Sequence, residues 1–150
     1  NVRSTFEVHI HHRKEHTAVS AGYLLREEEV DDSHQISVWK LEQRCPIYLL
    51  CIIVGEYQRV DFEGLRDISI AAFAPKPNSI EDLQRAFAPT KDLIVFAESL
   101  LGPLPWPKYF QFAAPGIGGA MENISLVSWD SRLLFDEIMH QDLYLMKINF

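Results

Sequence analysis

His12, Glu15 and His16 are the first side chains whose types suit metal chemistry, because they follow the H-x-x-E-H spacing of inverted zincins. That chemistry needs a helix, in which residues four apart share one face and both imidazoles reach one ion. The residues from Phe6 to His11 instead alternate between apolar and polar, which predicts a strand. On a strand, positions 12 and 16 lie about 13 Å apart. We therefore expect no metal site in this segment.

A second segment, Gly119–Asn123, combines small residues with one carboxylate, that of Glu122. Small residues let a ligand backbone approach closely, and an extended segment can pair with a peptide through its main chain. The carboxylate would then meet a terminal ammonium in a charge-assisted contact that gains strength when it is shielded from water. From the residues alone, a plain glycine-rich turn stays open as the alternative.

The elements that must position these segments change in character near the middle of the chain. Residues 1–62 are rich in strand patterns, including Thr17–Leu25 and Gln35–Leu41. Between these two strands, the charged run Arg26–Asp32 predicts a solvated hairpin loop. The apolar run Ile47–Val54 predicts a strand that is covered on both faces. We therefore expect an all-β unit in which one sheet packs on another.

Residues 63–150 mix helix and strand signals. Ser79 predicts the N-cap of a first helix, and Pro89 suits the first turn of a second helix, which Gly102 followed by Pro103 should end. Apolar residues recur on one face of that second helix, at Leu93, Ile94, Ala97, Leu100 and Leu101. The other predicted elements are strands at Asp67–Ala74, Tyr109–Ala114, Ile124–Trp129 and Arg132–Phe135 and a helix at Asp136–Asn149. This half is therefore predicted to be α+β.

Composition and charge limit the possible partners. Apolar residues make up 47% of the 150 residues and charged residues 23%, which is typical of a globular protein. The formal net charge of -7 argues against nucleic acid and anionic membranes, and no apolar run approaches the roughly 20 residues of a membrane span. Cys45 and Cys51 would lie about 20 Å apart on a strand, too far for a disulfide, so we expect free thiols. The compartment stays undetermined, with the cytoplasm favoured.

The segment Gly119-Ala-Met-Glu-Asn123 is similar to the exopeptidase signature of the zinc aminopeptidases that resemble aminopeptidase N and leukotriene hydrolase. Pro103–Tyr109 and Leu133–Leu134 resemble the sequence before and after this signature, and His16–Gly22 and Ile47–Gly55 resemble strands of the family's N-terminal β-domain. The resemblance implies an α+β chain with two parts. Residues 1–62 would end an all-β, sandwich-like N-terminal domain, and residues 63–150 would form the first lobe of a thermolysin-like catalytic domain.

The resemblance also implies roles for the five residues of the signature. Glu122 would anchor the free α-amino group of a peptide substrate. Gly119, Ala120 and Met121 would offer main-chain contacts to the first residues of the peptide, and Asn123 would help to shape the strand.

Two positions at or near this strand depart from the family pattern. Ser125 stands where the family usually has glycine, and Phe110 stands where it often has aspartate.

The zinc motif of the family is missing from this chain. The family holds its catalytic zinc with H-E-x-x-H and a later glutamate, and the first glutamate is the general base. This sequence contains no His-Glu pair and ends at Phe150. The resemblance therefore implies a fragment that recognises peptide amino termini, holds no zinc and is inactive without the rest of its parent enzyme, which would carry the metal. The alternative is a non-catalytic peptide-binding or structural module that retains the fold, and a downstream H-E-x-x-H would select the enzyme.

Overall fold

The computed structural model describes residues 2–76 and 80–134, and strands make up most of it. The strands are β1 (Ser4–Arg13), β2 (Thr17–Ser20), β3 (Tyr23–Glu29), β4 (His34–Cys45), β5 (Ile52–Gly55), β6 (Tyr57–Leu65), β7 (Ile68–Pro75), β8 (Lys108–Ala114), β9 (Ala120–Met121) and β10 (Leu126–Asp130). The helices are α1 (Ile80–Phe87) and α2 (Thr90–Leu101). This combination agrees with the predicted α+β composition. The predicted N-cap at Ser79 and the predicted helix at Asp136–Asn149 lie outside the described residues.

The described residues form three sheets. A three-stranded sheet has the order β1-β4-β3, β2 pairs with β5, and a five-stranded sheet has the order β6-β7-β8-β10-β9. In the five-stranded sheet, β7, β8 and β10 run parallel, and β6 and β9 run antiparallel to their neighbours. The strands β7 and β8 are parallel, so the chain must cross over between them, and α1 and α2 lie in that connection.

The largest apolar cluster lies between the five-stranded sheet and the two smaller sheets. It joins Ile10 of β1, Trp39 of β4, Phe73 of β7 and Phe112 of β8, all of them buried. Sheet therefore packs on sheet, but the five-stranded sheet comes mostly from residues after 62, whereas the prediction placed both sheets within residues 1–62. The predicted domain boundary after residue 62 falls inside β6, which pairs with β7 on both sides of that position. The division into two domains stays a prediction.

The helices lie against the other face of the five-stranded sheet. Leu83 and Phe87 of α1 are buried in a cluster with alanines of β7 and β8. Pro89 is the N-cap of α2 and Gly102 its C-cap, so the predicted ends of this helix are confirmed. Of the predicted apolar face of α2, only Ile94 is buried, and the other four residues are exposed. Neither helix is long and apolar enough to cross a lipid bilayer.

The prediction of a loop at Arg26–Asp32 is wrong for its first four residues, which continue β3 to Glu29. Because β3 is an edge strand, its backbone bonds to β4 while its charged side chains stay in water. The turn is confined to the residues after β3, where the Asp31 carboxylate accepts hydrogen bonds from the backbone N–H groups of Ser33 at 2.7 Å and His34 at 2.8 Å.

The prediction of one strand, covered on both faces, at Ile47–Val54 is also wrong. A 3₁₀ turn at Ile47–Leu49 follows Pro46, and the strand that comes after it is short. In β5, Ile53 is buried, whereas Ile52 and Val54 are about half exposed because only one face of this strand meets the core. The two cysteines are free thiols, as predicted.

The predicted strand at Arg132–Phe135 is likewise wrong for its described residues, because Ser131–Leu133 form a 3₁₀ turn. The carboxylate of Asp130 caps this turn by accepting a hydrogen bond from the backbone N–H of Arg132. Strand β10 therefore ends at Asp130, because a side chain that bonds to the backbone two residues later favours a turn over a continued ladder.

Candidate functional site

The segment predicted to bind peptide lies at one edge of the five-stranded sheet. Strand β9 pairs antiparallel with β10, so that Ala120 lies opposite Trp129 and Met121 lies opposite Ser128. It is the last strand in the order of this sheet, and no other strand of the described chain pairs with its outer edge. An edge strand carries backbone N–H and C=O groups that point away from the sheet, and these can pair with an extended peptide.

A glycine-rich turn leads into β9. Gly116, Gly118 and Gly119 have φ values of 85°, 74° and 139°, in the region that favours glycine. A Cβ atom built on any of the three would meet no atom within 4 Å. The turn therefore needs glycine for its backbone conformation and not for lack of space.

Glu122, the proposed amine anchor, comes directly after β9 and is exposed. The pKa of Tyr109 is raised, mainly by burial of the phenol and also by the negative charge of Glu122. The predicted contact with an ammonium group was expected to gain strength from shielding. Since the Glu122 carboxylate is open to water, a bound ligand would have to supply that shielding itself.

Asn123 is buried and closes the turn that follows Glu122. Its backbone N–H donates to the carbonyl of Met121 at 2.9 Å, and its side-chain oxygen accepts from the Ser128 hydroxyl at 2.9 Å. Because Ser128 is also the ladder partner of Met121, Asn123 joins the end of β9 to β10 a second time. This arrangement suits the predicted role of Asn123 in shaping the strand.

Ser125 adopts a backbone conformation that strains a residue other than glycine. Its φ is 59°, a backbone conformation that favours glycine. The side chain is buried, and its hydroxyl oxygen accepts a hydrogen bond from the backbone N–H of Gly22 at 2.8 Å. The serine therefore ties the start of β10 to the turn between β2 and β3, a contact that sequence reasoning missed.

Sequence reasoning also missed Lys108, which is buried at the start of β8. Its Nζ donates to the carbonyl oxygen of Ser20 and lies 4.0 Å from the centre of the Trp39 ring and 4.8 Å from that of Phe110. Burial lowers the pKa of Lys108 to about 6. Phe110 thus presents an aromatic ring to this amine.

The His12, Glu15 and His16 group does not form a metal site. His12 lies on β1, as predicted, and is buried. Its Nδ1 donates to the carbonyl of Arg13, and its Nε2 shares a hydrogen bond with the Ser37 hydroxyl, both at 2.8 Å. Within residues 2–76 and 80–134, no three side chains of His, Cys, Asp or Glu are grouped closely enough to hold a metal ion. These residues therefore do not fit a catalytic zinc site.

Comparison with known proteins relates the chain to aminopeptidases. No family model matches it. It is 29% identical over 139 residues to glutamyl aminopeptidase of Bos taurus, which covers 91% of this chain and 14% of that protein. It is 27% identical over 142 residues to the Mus musculus protein of the same name, covering 93% and 15%, and 27% identical over 139 residues to the Homo sapiens one, covering 91% and 14%. The chain thus spans about one seventh of the length of these relatives. The similarity supports a relationship to the peptidases, and the roles of residues 119–123 stay predictions.

Proposed function

We propose that this chain is the part of a zinc-dependent aminopeptidase that recognises the free amino terminus of a peptide. The observation that carries the proposal is the position of Glu122, an exposed carboxylate directly after a strand whose outer edge is unpaired in the described chain. The parent enzyme would remove N-terminal residues from peptides. Residues 1–62 would end its N-terminal β-domain, and residues 63–150 would begin its catalytic domain.

A peptide would bind by adding a strand to the outer edge of β9. The main-chain groups of Ala120, and those of Gly119 and Met121 other than their carbonyls, would pair with its first residues, because these two carbonyls already accept hydrogen bonds from the N–H groups of Asp130 and Asn123. Its terminal ammonium would then donate to the Glu122 carboxylate, and hydrogen bonds to charged groups are the stronger kind. The buried Asn123 would keep β9 in register with β10 through its hydrogen bond to Ser128.

This geometry favours an unblocked terminus over a blocked one. An acetylated peptide has no terminal ammonium, so it would cover the Glu122 carboxylate without an ion pair to that carboxylate. The zinc ion would be held by residues outside those described, and it would supply the activated water for cleavage in the parent enzyme. The names of the similar proteins support the aminopeptidase part of the proposal.

Peptide binding to the 150-residue chain tests the proposal. The probe is trialanine amide, with either a free or an acetylated amino terminus, titrated into labelled protein and followed by NMR shifts. The wild-type chain should bind the free-amine peptide about 10-fold more tightly, the effect of one charge-assisted hydrogen bond. Glu122→Gln should remove this preference.

The matched control is Glu56→Gln, which makes the same change of charge at an exposed residue before β6, at the opposite edge of the sheet. It should leave the preference unchanged. A wild-type chain that binds both peptides equally, or binds neither, would overturn the proposal. A preference that survives in Glu122→Gln would remove that residue from the site.

A further inference from the structure

Asp130 stands out because it is a fully buried carboxylate next to the glycine turn that leads into β9. Only 2% of the residue is exposed, although it lies at the end of a strand. A buried carboxylate is costly unless its oxygen atoms are paired. Its partners therefore indicate what this residue does in the structure.

Asp130 holds the glycine turn from two sides. Its Oδ2 accepts a hydrogen bond from the backbone N–H of Gly118 at 2.8 Å. Its own backbone N–H donates to the carbonyl of Gly119 at 2.7 Å. These two bonds fix the two residues that immediately precede Ala120, the first residue of β9.

Arg132 keeps this carboxylate charged. Its guanidinium donates to both carboxylate oxygens at 2.9 Å, and its backbone N–H donates to Oδ1 at 3.0 Å. These bonds, together with the one from Gly118, hold the pKa of Asp130 well below its usual range. The Arg132 side chain itself is 80% exposed, so it reaches the buried carboxylate from the surface.

The glycine turn needs such an anchor. Gly118 and Gly119 have positive φ values, and nothing packs where their side chains would be. Glycine has more backbone freedom to lose than any other residue. Without the bonds to Asp130, these two residues would sample many conformations. Strand β9 has only two residues, so its own pairing with β10 would do little to order the turn.

We propose that Asp130 is a positioning residue for peptide recognition, which holds the glycine turn so that the outer edge of β9 and Glu122 meet a peptide in fixed geometry. The part of this inference that concerns peptide recognition rests on the proposed function. Its structural part, that Asp130 orders the turn, does not depend on any ligand.

Hydrogen exchange tests the structural part first. In the wild-type chain, the amides of Gly118 and Asp130 should be protected, because both are bonded across the turn. In Asp130→Asn, exchange of the Gly118 amide should be about 10-fold faster or more, since the charged acceptor is replaced by a neutral amide whose single oxygen must serve both Gly118 and Arg132. Absent protection in the wild-type chain would overturn the proposal, even if the variant failed to fold.

Two matched variants separate the anchor from the ion pair. Asp61→Asn breaks an Arg–Asp pair of the same spacing, between Arg59 and Asp61 of β6 at the opposite edge of the sheet. Arg132→Gln removes the guanidinium and leaves the Gly118 bond in place. Both variants should keep the Gly118 amide protected from exchange. If the Gly118 amide exchanged as fast in Arg132→Gln as in Asp130→Asn, the role assigned to the carboxylate would be overturned.

Peptide binding tests the positioning role. Asp130→Asn should weaken binding of the free-amine trialanine amide and of its acetylated form alike, by about 10-fold, because both use the strand edge. Glu122→Gln should weaken only the free-amine peptide. Faster exchange with unchanged affinity for both peptides would overturn the positioning role alone. Equal affinity of the wild-type chain for both peptides would overturn the proposed function, and the exchange result for Asp130 would still stand.

Discussion

Gly22 and Gly118 adopt nearly the same backbone angle, φ 78° and 74°, in very different surroundings. A Cβ atom on Gly22 would lie 1.9 Å from the carbonyl oxygen of Lys40, whereas one on Gly118 would meet nothing within 4 Å. We call the region around Gly22, Ser125 and Lys108, where the smaller sheets meet the five-stranded sheet, the seam. The seam is closed around its polar groups, and the turn before β9 is open to solvent.

The titratable side chains of the two regions differ in the same way. Lys108 of the seam is buried and donates to the Ser20 carbonyl, while Glu122 at the end of β9 is exposed. Polar groups in the seam bond within the protein and fix the packing of the sheets. We therefore expect changes in the seam to lower stability, and changes at the β9 edge to affect the proposed peptide binding with little effect on stability.

Alanine at the two glycines should give the largest difference between the regions. Gly22→Ala adds a clash with backbone to the strain of a positive φ, so we expect a loss of more than about 3 kcal/mol in the free energy of unfolding. Gly118→Ala carries the strain alone, about 1–2 kcal/mol. Urea denaturation of both variants measures this, and equal losses would show that the seam is not more tightly packed.

The buried amine of Lys108 should make stability depend on pH. Its folded-state pKa of about 6 lies below the usual 10.5, so between these values the unfolded chain binds one more proton and stability rises with pH. The rise from pH 6.5 to 8.5 should be about 2.5 kcal/mol. Above that range, the pKa values of Cys51 and Tyr57, which burial raises, act in the opposite direction.

Replacing Lys108 isolates this effect. Lys108→Met should flatten the rise in the free energy of unfolding between pH 6.5 and 8.5, because the group that loses its proton on folding is gone. The exposed Lys76 offers the control, and Lys76→Met should keep the wild-type slope. Wild-type stability that is flat over this range would mean that Lys108 stays charged, held by the Ser20 carbonyl and the two rings.

Ser125 sharpens the comparison with a smaller effect. Ser125→Ala loses the acceptor for the Gly22 N–H and keeps the positive φ, whereas Ser125→Gly loses the same bond but relieves the backbone. The alanine variant should therefore be less stable than the glycine variant by about 1 kcal/mol. Thermal unfolding measures the order of the two, and a reversed order would show that φ at this position carries no strain.

Much of the fold could be predicted because local patterns match local structure. The alternation around Val8 predicts β1, and Pro89 and Gly102 predict both ends of α2. The prediction of a loop from Arg26 onward was wrong because charge indicates exposure, and an edge strand is as exposed as a loop. The prediction of a strand covered on both faces from Ile47 onward was wrong because only one face of β5 meets the core.

The candidate site was harder to predict because its geometry depends on distant pairing. The Gly119–Asn123 segment was singled out by its residue types and by its resemblance to a family signature, but its place at an edge follows from β10 pairing with β8 on the other side. Asp130 gave no local signal, since its partner Gly118 lies twelve residues earlier. A lysine such as Lys108 is normally expected at the surface, and its burial follows from the packing of the sheets over it.

The central claim is that Glu122 selects peptides with a free amino terminus, and turnover by the full-length parent protein tests it most directly. The measurement is kcat/KM on an aminoacyl reporter substrate for the wild type, Glu122→Gln and the control Glu56→Gln, with the melting temperature of each. Glu122→Gln should lower kcat/KM by about 10- to 100-fold, the effect of losing one charge-assisted hydrogen bond, and Glu56→Gln should not. The melting temperature should stay the same, because Glu122 is exposed. An unchanged kcat/KM in Glu122→Gln, or a fall that its melting temperature explains in full, would contradict the account.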